Sequence, residues 1–124
     1  MSPRKSERLA AIEALVCRDV GRGTHRLMEA TRGGLAAAAE VLARATSVGL
    51  ITGFYVPRGE TPAAETDGPV GVALLARALL ACGLRVRIAT DAPCIAVVHA
   101  AAAGIEVDEV SDISRSVATW RATG

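Results

Sequence analysis

Two carboxylates and a hydroxyl crowd the stretch Glu65-Thr66-Asp67-Gly68-Pro69. Pro69 suits the first turn of a helix, where a missing N–H costs nothing, and Asp67 or Gly68 is the natural cap. A helix start carries free N–H groups and attracts anions. The amides of Gly68, Val70 and Gly71 can then hold a carboxylate or phosphate while Asp67 addresses a cationic amine, an arrangement that fits an amino-acid-sized zwitterion. The plainer reading, with Asp67 as a helix cap and Glu65 as a solvated loop charge, fits the same spacing equally well.

Thr90-Asp91-Ala92-Pro93-Cys94 repeats the pattern at a second position. Asp91 can cap a helix, bind a ligand amine or bind a metal, and capping is the commonest use. Cys94 stands in the first helical turn, where the dipole stabilises a thiolate, but a nucleophile also needs a positioned acid or base and the sequence identifies none. His25 and His99 share no metal-ligand spacing, so no metal site is assigned. Arg18 and Arg22, set around Gly21 and Gly23, can clamp a carboxylate if their segment folds back on the site, although exposed arginines are usually only solvated. Neither GxGxxG nor GxxxxGK[ST] occurs, which removes the main support for a dinucleotide or P-loop reading, and no residue pattern names a cofactor.

These residues need elements to position them. A short buried-type strand is expected over 48–52, ending at Gly53 in a Pro- and Gly-rich loop that runs to Gly68. A loop of that length exceeds the ~2–6 residues of an ordinary βα connection and is usually functional or disordered. The helix expected over 69–82 is apolar nearly all round, with Arg77 its lone charge, and should be buried on more than one side. Gly83 ends it, a second strand follows over 84–89, and a second helix opens at Thr90-Asp91-Ala92-Pro93 and runs to 103. Residues 105–110 alternate apolar and acidic, as in a strand near a sheet edge. Upstream, residues 7–17 carry a stripe of Leu9, Ile12, Leu15 and Val16 expected to face a core, Thr24 can cap a short turn through Met28, and 35–46 has helical spacing supported by a Glu40–Arg44 pair.

The resulting order is two helices followed by β-α-β-α-β, an α/β fold of Rossmann-like kind with a three-layer parallel sheet. Ligands in such sheets bind beyond the carboxyl ends of the strands, so Thr52 and Thr90-Asp91 are expected to face one crevice. We read residues 1–124 as one α/β domain: a helical segment 1–32, a core 33–110 and a divergent tail 111–124. Three strands leave both outer edges unpaired, which points to a homo-oligomer or a missing part.

Composition narrows the function classes. With 14 Lys+Arg against 13 Asp+Glu, no dense basic run and three aromatic residues in all, nucleic-acid binding has no footprint. No apolar run reaches the ~18 residues of a membrane helix, and the N-terminus is not a signal-peptide core, so a cytoplasmic protein without membrane partners is expected. Cys17, Cys82 and Cys94 are odd in number and far apart, which argues against a disulfide framework or a cysteine zinc site.

Four stretches together carry a resemblance: Arg18-Asp19-Val20-Gly21-Arg22-Gly23, Ile51-Thr52-Gly53-Phe54, Glu65-Thr66-Asp67-Gly68-Pro69-Val70-Gly71 and Thr90-Asp91-Ala92-Pro93-Cys94. In order and spacing they resemble the bacterial D-glutamate cyclase C-terminal domain family, from about Ile12 to about Val110. The resemblance implies a lyase of D-glutamate metabolism that converts D-glutamate to 5-oxo-D-proline and water. As chemistry demands of that reaction, Glu65 and Asp67 are the expected catalytic pair, orienting or deprotonating the amine. Thr52, Gly53, Thr66, Gly68, Gly71, Thr90 and Asp91 are the expected substrate-binding set. The resemblance also implies a longer chain with a second half, so the sequence reads as a truncated or divergent N-terminal half, whose partner is a separately encoded second half or another copy, and an inactive lyase is part of that expectation. The rival reading is a noncatalytic module that binds a small anion or amino acid, or an interaction domain. A nucleotide-binding domain is the weaker third.

Overall fold

In the computed structural model, which describes residues 3–57 and 61–116, three helices come first: α1 over Pro3–Val16, α2 over His25–Ala30 and α3 over Gly34–Leu42. They belong to the first of two compact units, residues 1–45 and 46–124. The turn expected after Thr24 is α2.

Within the first unit α1 packs against α3, and one side chain fixes the contact. Glu13 on α1 accepts hydrogen bonds from the N–H of Gly33 (2.9 Å) and of Leu35 (3.0 Å), taking up backbone donors at the start of α3. Gly33 and Gly34 have no side chain that could cap this end themselves, so the cap comes from the neighbouring helix. The N–H of Leu35, then that of Gly33 and the charge of Arg32 hold the Glu13 carboxyl below its ordinary value. The stripe on α1 departs from expectation: Ile12, Leu15 and Val16 are 48%, 65% and 67% exposed, and no residue of these helices is buried. The facing helix α3 has alanine at four of its nine positions, and alanine methyl groups cover little of a neighbour.

The second unit contains β1 (Ser47–Ile51), a hairpin of β2 (Tyr55–Val56) and β3 (Ala63–Ala64), α4 (Asp67–Ala81), β4 (Arg85–Thr90), a single 3-10 turn over Ala92–Cys94, α5 (Ile95–Ala101) and β5 (Glu109–Asp112). The main sheet has the order β1-β4-β5 and both pairings are parallel. This is the expected α/β architecture with a Rossmann-like parallel sheet. Val86, Ile88 and Thr90 of the central strand are fully buried, and α4 packs on β4 and β1 while α5 packs on β5 and on α4.

Three local expectations change. Helix α4 buries only the face of Pro69, Ala73, Ala76 and Leu79, whereas Val70, Leu74 and Leu75 remain 54%, 62% and 44% exposed. The long loop after β1 contains the β2–β3 hairpin. The last strand begins later than the alternation at 105–110 suggested. After the left-handed turn at Gly104 (φ 76°) the chain needs several residues to return to the sheet, and pairing starts where the Asp108 N–H donates to the Val86 carbonyl at 2.8 Å. Ser111 and Asp112 therefore belong to β5, while 117–124 of the expected tail lie outside the described residues. Among the described residues no helix is long and apolar enough to cross a membrane.

Glu13→Gln should loosen the first unit and flatten its acid response. Its carboxyl lies below the ordinary value of 4.5 in the fold, so the stabilisation is present above 4.5 and is lost as pH falls through the lowered value. Helical circular dichroism followed against temperature and pH reads this directly, with a lower melting temperature expected for the variant at neutral pH and a smaller wild-type advantage in acid.

Candidate functional site

Parallel register brings the carboxyl ends of the three main strands level. Ile51 lies opposite Ala89, Thr90 lies opposite Asp112, and the Thr52 N–H donates to the Ala89 carbonyl at 3.1 Å. Because side chains alternate along a strand, Leu50, Ile88 and Val110 share one sheet face, and Thr52, Thr90 and Asp112 follow on that face at its end.

The hairpin returns the chain to this edge. Tyr55 pairs with Ala64 and Val56 with Ala63, and the Glu65 N–H donates to the Phe54 carbonyl at 2.8 Å, closing the loop at its base. The start of α4 is thereby laid over the end of β1. A Cβ on Gly68 would stand 2.9 Å from Thr52 Oγ1, so glycine is what allows the approach. Gly53 is tighter still: its φ of 121° disfavours any side chain, and a Cβ there would collide with Thr90 Oγ1 while lying 3.4 Å from the Asp91 nitrogen and 3.5 Å from Cys94 Cβ. Thr52, Gly53, Gly68, Thr90 and Asp91, dispersed in sequence, thus meet in one place, and buried Cys94 joins them.

Thr90 Oγ1 is buried and has no hydrogen-bond partner among the described residues. A buried hydroxyl without a partner carries a desolvation penalty of about 1–3 kcal/mol, so this oxygen is an unspent polar group at the centre of the cluster.

Glu65, Thr66 and Asp67 are exposed at the lip. Repulsion from the Asp67 charge, together with partial loss of water and a hydrogen bond with the Asp67 carboxyl, holds the Glu65 carboxyl above its ordinary value. Asp67 Oδ1 also accepts the Gly68 N–H at 2.8 Å, and the Val70 N–H reaches the Thr66 carbonyl at 3.4 Å. Two of the amides expected to hold an anion are therefore engaged within the chain, one of them by a carboxylate that itself occupies the anion position. Gly71 lies on an exposed part of α4, with nothing within 4 Å of where its Cβ would be. The Asp91 side chain makes no cap bond; its carbonyl, not its carboxylate, accepts the Cys94 N–H at 2.8 Å.

Sequence reasoning stopped at Val110 and missed the third strand end. Asp112 Oδ1 accepts the Ser114 N–H (2.8 Å) and hydroxyl (2.6 Å), the Ser116 hydroxyl donates to the Asp112 carbonyl (2.8 Å), and the Ser111 and Ser116 hydroxyls hydrogen-bond to each other. The Ser114 hydroxyl, then its N–H and the charge of Arg115 keep the Asp112 carboxyl below its ordinary value. An aspartate with serine two residues on is an Asx-turn signature, and that signal was available in Ser111-Asp112-Ile113-Ser114. Arg18, Arg22 and His25 belong to the first unit, and His99 is exposed on α5. Among the described residues no group of three or more His, Cys, Asp or Glu side chains is arranged to hold a metal ion.

Residues 12–122 match the family model described as D-glutamate cyclase-like, C-terminal. The match passes Val110, the expected end of the resemblance, and takes in β5 and the Asp112 turn. No curated protein and no solved structure matches the chain.

Two substitutions and one titration test this geometry. Thr90→Val removes the unpartnered hydroxyl and should raise unfolding stability by about 1 kcal/mol. Gly53→Ala should cost at least about 2 kcal/mol through backbone strain and overlap. Urea unfolding measures both. Carbon NMR should titrate Glu65 above 4.5, with the midpoint falling in Asp67→Asn. Since the folded value is the higher one, the pair's repulsion costs stability as pH rises through it and is relieved as pH falls.

Proposed function

The chain belongs to the D-glutamate cyclase-like C-terminal family, and from that premise we propose that its crevice cyclises D-glutamate to 5-oxo-D-proline with loss of water. One observation carries the reading: the paired carboxyls of Glu65 and Asp67 stand exposed at the sheet edge where Thr52, Gly53, Gly68 and the buried, unpartnered Thr90 hydroxyl converge.

The reaction forms a bond between the α-nitrogen and the γ-carboxyl carbon and breaks one carbon–oxygen bond of that carboxyl. The substrate arrives as an ammonium and a γ-carboxylate, so two protons must leave nitrogen and both must reach the departing oxygen for it to leave as water. Asp67 orients the ammonium. Glu65, the carboxylate that takes up a proton more readily than an isolated glutamate does, receives the two protons that nitrogen loses, one after the other, and passes each to the leaving oxygen, which departs as water as the carbon–oxygen bond breaks. In the free protein the Asp67 carboxylate holds the Gly68 N–H. When Asp67 turns to the ammonium, a substrate carboxylate oxygen takes its place on that N–H, at a helix end that favours negative charge. The hydroxyls of Thr52, Thr66 and Thr90 are the remaining donors, and Thr90 supplies one that no protein group uses. Asp91, exposed beside Gly53, is a further acceptor for the ammonium.

A noncatalytic binding module is the second reading, and the engaged Gly68 and Val70 amides with an exposed carboxylate pair support it. Incubation with D-glutamate, followed by chiral chromatography for 5-oxo-D-proline, separates the two. Product is expected, with a loss of about a hundredfold or more in Asp67→Asn. Thr90→Val is expected to weaken turnover while making the protein more stable, a split that a purely structural hydroxyl does not give. A thermal shift on adding D-glutamate without any product would favour the binding module.

A further inference from the structure

Helix α4 carries a surface that the crevice does not use. Asp67, Val70, Leu74, Arg77 and Ala81 recur at alternating spacings of three and four residues, the spacing of a coiled-coil seam. All five are exposed, Val70 by 54% and Leu74 by 62%. A groove of about 320 Å³ runs along this stripe between α4 and the end of α5. Asp67 and Arg77 are the only charged residues of α4, and they stand at opposite ends of the exposed apolar pair. Among the described residues Arg77 makes no ion pair.

We propose that this face is the interface of an isologous dimer in which α4 packs antiparallel on α4 of a second copy of the chain. With the twofold axis at the level of Val72, Val70 meets the partner's Leu74 and Asp67 meets the partner's Arg77, and symmetry makes each contact twice. The order acid, apolar, apolar, base is complementary to itself only in this direction. A parallel pairing sets acid against acid and base against base, which is repulsive. An unrelated partner has no need of a pattern that reads as its own complement when reversed. Gly71, exposed near the axis level, presents no side chain to hold the helices apart. The dimer also places a guanidinium from one copy beside the Glu65–Asp67 pair of the other. That contribution to the crevice rests on the proposed function, whereas the dimer itself does not.

Sedimentation of the full chain across the micromolar range tests the interface independently of any activity. The wild type should dimerise. Arg77→Glu sets two acids together and Asp67→Lys sets two bases together, so each variant alone should dissociate about tenfold more readily or worse. Mixed in equal amounts the two variants should recover a dimer, because each contact then pairs opposite charges again. Leu74→Arg, at an exposed position, should abolish the dimer without touching Asp67, with circular dichroism confirming that each variant is folded. A wild type that stays monomeric, a Leu74→Arg variant that still dimerises, or folded charge variants that fail to recover a dimer on mixing would each overturn the proposal.

Discussion

The candidate site depends on one buried strand that pairs in parallel on both sides. β4 has β1 on one edge and β5 on the other, and parallel neighbours cannot be joined by tight turns. The chain must cross over through α4 and α5, and these helices cover the sheet as they do so. The same requirement brings three carboxyl ends out at one edge, which is why Thr52, Thr90 and Asp112 become neighbours although nothing in their sequence positions relates them. Once the edge exists, the hairpin closed by Glu65 and Phe54 decides what lies over it. It turns a long connection into a short span and delivers the start of α4 to Thr52.

Close approach at this edge is possible because glycine stands at two positions. Gly53 passes over the Thr90 hydroxyl and Gly68 over the Thr52 hydroxyl, and neither gap admits a side chain without displacement. The outcome is a tight assembly with a polar atom left unpaired in its interior. Folding alone does not require that arrangement, since a valine at position 90 would fill the same space without the cost of an unmatched hydroxyl.

The carboxylates divide into two groups by what surrounds them. Glu13 and Asp112 each accept hydrogen bonds from nearby N–H or hydroxyl groups and are held in the charged form, which suits their work of tying down backbone. Glu65 is pushed the other way because its nearest strong influence is another carboxylate. A pair of like charges set side by side at the exposed start of a helix costs stability and makes one of the two carboxyls readier to take up a proton.

Residue order by itself determined the succession of the main-sheet strands and the helices between them, a helix start within two residues of Asp67, the parallel sense of the sheet and the family, because periodicity, Pro and Gly placement and local motifs are short-range properties. It did not determine which faces are covered. Helix α4 is apolar all round in sequence, yet a single layer of strands can cover one side of it and leaves Leu74 outside. It also misplaced the last strand, because Ile105-Glu106-Val107 alternates as a strand should while hydrogen bonding to β4 begins only at Asp108. That shift brought Asp112 to the site. Tertiary structure alone decided that Gly53 lies against Thr90 and Gly68 against Thr52, since such contacts are set by strand register and crossover geometry, and neither is written in the spacing of the residues that meet.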